Sequence, residues 1–154
     1  MSTTTDSATW LTDQAQEELG HDNQVRLAMI LQDLVTLPYL RYTYVLDRSG
    51  GVCLSHPIGP NGKVVAAKHR PDAFLHLVNI TELYLVEIEQ NAPAHVTVDT
   101  RDEMLFIASA GPWVLVAAFE GQATRGYLSM KLTKRISHLR SMFRTMEIQE
   151  DPSS

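Results

Sequence analysis

Histidine, cysteine and serine are the residues of this chain that could do chemistry, and their spacing decides whether they can. Six histidines, His21, His56, His69, His76, His95 and His138, are spread along 154 residues. A metal site needs several ligands converging on one ion, most simply two histidines a helical turn apart as in HxxxH or HExxH. No pair here has that spacing, and His69 and His76, the nearest two, stand seven residues apart across Pro71. They read as solvent-facing or locally bonded imidazoles, and no metal is expected. Cys53 is alone between Val52 and Leu54, which leaves no disulfide framework or thiolate cage and fits an inert buried thiol. Ser49, Ser55 and Ser109 lie in or beside strand-like runs and lack the GxSxG context of a nucleophile elbow. Gly59-Pro60-Asn61-Gly62 precedes Lys63, but a phosphate-cradling loop needs GxxxxGK[ST] between a strand and a helix, and Val64 follows the lysine. That segment reads as turn chemistry, glycine and asparagine being suited to positive φ. With no catalytic residue and no cofactor assigned, the expectation is a non-enzymatic protein that works through its surface.

Bulk properties narrow the partner class. The formal net charge of −5 argues against nucleic acid, whose backbone calls for a positive footprint. The first residues, MSTTTDSATW, have neither a basic start nor an apolar core segment, so no export signal is read. The longest nearly unbroken apolar stretch, Ala108 to Phe119, contains Ser109, Gly111 and Pro112 and falls short of the ~20 residues of a spanning helix. A cytoplasmic protein with no membrane span is expected.

The elements follow from periodicity. Residues 1–22 carry Asp6, Asp13, Glu17, Glu18 and Asp22 and no Lys or Arg, and read as a flexible acidic leader. Trp10-Leu11 is out of character there; it either docks on the domain or belongs to a short helix from Thr12 to Leu19, with Thr12 as cap. Asn23 to Leu37 repeats Leu27, Ile30, Leu31, Leu34 and Val35 at helical spacing, with Asp22 or Asn23 as cap and Pro38 as stop. RYTYVLDRSGGVCLSH reads as two strands about a glycine turn, the first apolar on both faces. Pro57 to Arg70 is a long connection, of a length that suggests motion or binding. Pro71-Asp72 opens a helix with Phe74, Leu77, Val78, Thr81, Leu85 and Ile88 on one side, and a break is expected between Asn79 and Glu82. Leu75, Ile80, Leu83, Tyr84 and Val86 fill the rest of its circumference. Such a helix is buried on more than one side. AHVTVDT, EMLFIAS and WVLVAAF then read as three strands joined at Thr100-Arg101-Asp102 and Gly111-Pro112. A final helix carries Leu128, Leu132, Ile136, Leu139, Phe143 and Met146 in one stripe, followed by a flexible acidic tail at 147–154.

Helix, two strands, helix, three strands, helix is an order that resembles the roadblock/LC7 superfamily, which includes dynein light chains, lysosomal signalling scaffolds and bacterial partners of small Ras-like GTPases. The resemblance spans about Asn23 to Phe143. It rests on that order, on the DRSGG turn and on the passage AFEGQATRGYLSMKLTKRISHL from the last strand into the last helix. The long proline-containing loop after His56 and the acidic leader depart from the family's usual look.

What the resemblance implies is an α+β domain at 23–146 of two to three layers. Its five-stranded antiparallel sheet has the order 2-1-5-4-3, two helices on one face and one on the other. It also implies a homodimer formed by edge-to-edge pairing of third strands and by contact of middle helices. Here those positions are Phe74, Leu77, Val78, Thr81, Leu85, Ile88, Val96 and Val98. Lys131, Lys134, Arg135 and Arg140 on the last helix are candidates for contacting a small Ras-like GTPase or another acidic partner, or for pairing with the chain's own acidic leader. A profilin-like or PAS/GAF-like module sensing a small molecule is the alternative, with the 57–70 loop capping a pocket against Tyr42 or Tyr44.

Overall fold

Five strands, the central three buried, form one antiparallel sheet in the computed structural model, which describes residues 10–48, 52–66, 71–89, 95–121 and 125–150. The first nine residues of the leader, the DRSGG turn from Ser49 on, His69 and the last four residues lie outside that set. So do the side chains of Arg125, Phe143, Arg144 and Met146.

The strands are β1 (Leu40–Asp47), β2 (Val52–Cys53), β3 (His95–Asp99), β4 (Glu103–Ala110) and β5 (Trp113–Glu120), in spatial order β2-β1-β5-β4-β3. This is the expected order. Long registers hold the centre, from Leu40↔Phe119 to Asp47↔Trp113 and from Glu103↔Glu120 to Ala110↔Trp113. The β4–β5 hairpin closes over Gly111-Pro112, where Gly111 takes φ +64° at the first position of a two-residue loop, a conformation that costs glycine little.

The helices are α1 (Asp13–Glu18), α2 (His21–Leu34), α3 (Pro71–Glu87) and α4 (Arg125–Glu150). On one face α2 and α4 bury Leu27, Leu31, Leu34, Leu128, Leu132, Ile136 and Leu139 against Val45, Phe106, Leu115 and Phe119. On the other, α3 buries Phe74 and Val78 against Tyr42, Tyr44, Leu105, Ile107 and Val116.

Several boundaries differ from the sequence reading. Gly20 occupies the α2 cap position without a side-chain bond, so the helix starts two residues before Asn23; it ends at Leu34. The break expected in α3 is absent: Thr81 Oγ1 donates to Leu77 O at 2.8 Å, a bond within the helix that leaves its backbone ladder intact. The backbone of α4 stays helical to Glu150, past the expected start of the tail. Within the leader the expected short helix with Thr12 as cap is present and Trp10-Leu11 docks on the domain, so this part is packed from Trp10 onward. Trp10, Leu11, Ala15 and Leu19 are buried in the α2/α4-side core, and Thr12 caps α1 by accepting from Ala15 N at 3.3 Å. Their apolar side chains had no other partner in an otherwise polar stretch, so burial outweighs the entropy of ordering it.

Candidate assembly and partner surfaces

A helix of alternating apolar faces laid on one sheet can satisfy only one of them, and α3 shows the result. Phe74 is 2% exposed and Val78 0%, whereas Leu83 is 69% and Val86 72% exposed. Ile80, Tyr84 and Ile88 are exposed as well. The expected interface stripe therefore splits. Phe74 and Val78 are sealed under α3 by the chain's own sheet, and Leu77, Thr81 and Leu85 are half-buried at its flank. Of that stripe only Ile88, in the turn just past α3, is outward. The surface that remains open is carried by Ile80, Leu83, Tyr84 and Val86, residues that periodicity alone assigns to the rest of the circumference.

Arg48 fixes how this face is presented. From the end of β1 its guanidinium donates through Nη1 to Glu82 Oε2 at 2.9 Å and through Nη2 to Glu82 Oε1, while Nη2 also reaches Asn79 Oδ1 at 2.9 Å. A two-pronged charged pair of this kind restricts rotation as well as distance. No sequence signal marks it, because an Asp-Arg at a turn looks like any solvated turn.

Beside α3 lies β3, whose only strand partner among the described residues is β4. Val96 and Val98 are half-buried and belong to the α3-side cluster with Leu77 and Leu85, on the strand whose outer edge is open among the described residues. His95 and Asp99 at its ends are exposed. The His95 ring lies 4.3 Å from that of Phe106 between centroids, and burial there pushes its pKa down from the ordinary histidine value.

The basic positions of α4 also divide. Arg135 is paired with Asp33 of α2 and donates to Lys131 O at 3.3 Å; Arg140 Nη2 donates to Ser109 O at 3.1 Å. Both arginines thus tie α4 to the domain. Lys134 is exposed, and Lys131 sits 5.6 Å from the Tyr127 ring centre. The acid that pairs with Arg135 belongs to α2 and not to the leader.

Burial pushes the Cys53 thiol up, away from the reactive thiolate. Among the described residues no group of three or more His, Cys, Asp or Glu is placed to hold a metal, and no helix is long and apolar enough to cross a membrane. The GPNG segment is a 3-10 turn in which Asn61 and Gly62 both have positive φ, 69° and 73°, consistent with its reading as a turn. Tyr42 and Tyr44 lie in the α3-side layer, and neither hydroxyl has a hydrogen-bond partner among the described residues. Burial, with Glu103 nearby, pushes Tyr42 up to about 12, and burial pushes Tyr44 up as well.

No family sequence model matches the chain and no curated protein aligns with it. Solved structures do. MglB of Myxococcus xanthus superposes with a TM-score of 0.68 at 14% identity, over 82% of this chain and 93% of that one. The gliding protein MglB of Thermus thermophilus gives 0.64 at 16%, over 80% and 93%. A Roadblock/LC7 domain from Streptomyces avermitilis gives 0.61 at 18%, over 75% and 96%. The chain has the roadblock/LC7 fold.

Proposed function

We propose that this chain is a non-enzymatic homodimeric regulator or scaffold that partners a small Ras-like GTPase. The observation that carries it is the outward apolar face of α3, with Leu83 and Val86 about 70% exposed, on the helix that packs beside the edge strand β3. Twofold pairing of β3 with its copy would complete the edge, bring two α3 faces together and satisfy both surfaces at once. The fold shared with two MglB structures supports the reading, as does a further MglB structure described as having a tetrameric arrangement. The GTPase comes from the resemblance to bacterial partners of such enzymes. A dimer without a nucleotide site of its own would act on hydrolysis by ordering the GTPase's switch segments. Of the four basic candidates, Lys131 and Lys134 are the ones left to face that partner.

Light scattering at micromolar concentration should show a dimer, and Leu83→Asp with Val86→Asp should give a folded monomer, since both side chains are already outside the core. A wild-type monomer would sink the dimer. For the partner, a small GTPase from the same organism should be retained on the immobilised protein when loaded with a GTP analogue and released with GDP. Equal retention, or none, would remove the GTPase and leave a generic scaffold.

The Tyr42 and Tyr44 hydroxyls, unpartnered among the described residues, favour a second reading, a small-molecule-sensing module. A buried hydroxyl without a partner costs about 1–3 kcal/mol, which a bound polar ligand or an ordered water would relieve. A metabolite panel that leaves the melting temperature of wild type unchanged would set that reading aside.

A further inference from the structure

At the β2 side of the sheet the chain adds one bridge from its own leader. Leu11 stands opposite Ser55; Thr12 N donates to Leu54 O at 3.1 Å, and His56 N donates to Trp10 O at 2.8 Å. The side chains are keyed as closely. Trp10 Nε1 donates to Gly62 O at 2.9 Å, a buried bond across 52 residues of sequence. The indole is so near Gly62 that a Cβ there would come within 2.8 Å of it, and the glycine has φ +73°. Thr12 Oγ1 donates to Cys53 O at 2.6 Å. Main-chain pairing at an edge supplies attachment that any sequence can make, and pockets for alternate side chains supply selectivity. Both parts are present.

We propose that the cleft between Cys53–His56 and the Pro60–Gly62 turn is a peptide-binding site. Its ligand is an extended segment with tryptophan two residues before threonine, here residues 10–12 of the same chain. The site takes that segment in exchange from a second copy. Selectivity resides in the indole socket at Gly62, attachment in the strand edge at Leu54 and His56. The leader reaches α2 through Gly20, whose carbonyl accepts from Gln24 N at 3.0 Å as the helix cap, while a Cβ there would meet no atom within 4 Å. The cleft stands apart from the α3 face and does not depend on it.

The test keeps the whole chain. A protease recognition sequence is inserted at Gly20, the protein is folded, and the link is then cut. The N-terminal fragment should stay bound through native gel filtration, and a fluorescent peptide spanning residues 8–19 should exchange into its place. The same peptide carrying Trp10→Ala should bind roughly a hundredfold more weakly or worse, as expected for loss of a buried aromatic anchor. Cut protein carrying Gly62→Val should fail to take up the unaltered peptide while its folded signature persists. Equal uptake of the alanine peptide would overturn the proposal. So would a fragment that never exchanges, or a cut chain that unfolds and is not restored by added peptide; each would make residues 10–19 an ordinary piece of core.

Discussion

Helices α2 and α4, with the short α1 beside them, cover one face of the sheet and α3 covers the other, and the leucines show what that difference does. Across the first face, Leu27, Leu31 and Leu34 of α2 meet Leu128, Leu132 and Leu139 of α4, and none of the six is left in solvent. Across the second, α3 has a sealed inner row and an outer row of Ile80, Leu83, Tyr84 and Val86 facing away from the chain. Each large apolar side chain gains about 1.5–3 kcal/mol on full burial, so the outer row holds a driving force for association that these six leucines of the first face have already used in folding. The sheet edges differ in the same sense. The leader segment runs along the β2 side, while β3 pairs on one side only among the described residues.

Leucine truncation on each face separates folding from assembly. Leu132→Ala should lower folding stability by about 2–5 kcal/mol in urea melts, the cost of a core cavity. Below that comes alkaline sensitivity on the α3 side. Tyr42 has its pKa raised above the unfolded value near 10, so the stability it contributes is complete below that pH and is lost as pH rises through about 12. Two units correspond to roughly 2–3 kcal/mol. Tyrosinate absorbance followed with circular dichroism should show Tyr42 and Tyr44 ionising together with unfolding; ionisation within a folded protein would mean that α3 opens easily and that its inner row is sealed less firmly than the first face. Leu83→Ala should cost the chain itself no more than about 0.5 kcal/mol, yet weaken self-association roughly tenfold. Were it to destabilise the dissociated chain as much as Leu132→Ala, the contrast between the faces would collapse. Smallest is Arg48→Gln. Its pair with Glu82 is partly exposed, at 25% and 35%, and should contribute ~0.2–1 kcal/mol, a difference that shrinks at high salt. Faster amide exchange in the middle of α3 is the expected sign.

Element order and the sheet were legible because they rest on local signals: the stripe of α4, the glycine of the Gly111-Pro112 loop, the two-faced apolar run of β1. The orientation of α3 was not. Its periodicity is nearly uniform round the axis, so Phe74 and Val78 could not be told from Leu83 and Val86 until a sheet was placed under one side. Arg135 shows a related limit. In sequence it is one of a run of cations; only packing of α4 on α2 brings it to Asp33. Docking of Trp10 was one of two readings open for an apolar pair in a polar stretch; its socket on the Gly62 backbone is what no period reveals. Each missed feature is a long-range choice between locally equivalent options.

The placement of Trp10 also makes it an optical instrument. The chain contains two tryptophans; Trp113 lies at the start of β5 and Trp10 beneath the Gly62 carbonyl, both shielded from water. With Trp113 replaced by phenylalanine, the remaining indole would emit at short wavelength while it occupies the cleft and shift to the red when it leaves. Departure of the leader could then be timed by stopped-flow fluorescence, without any attached dye, in the same cuvette in which a partner is added.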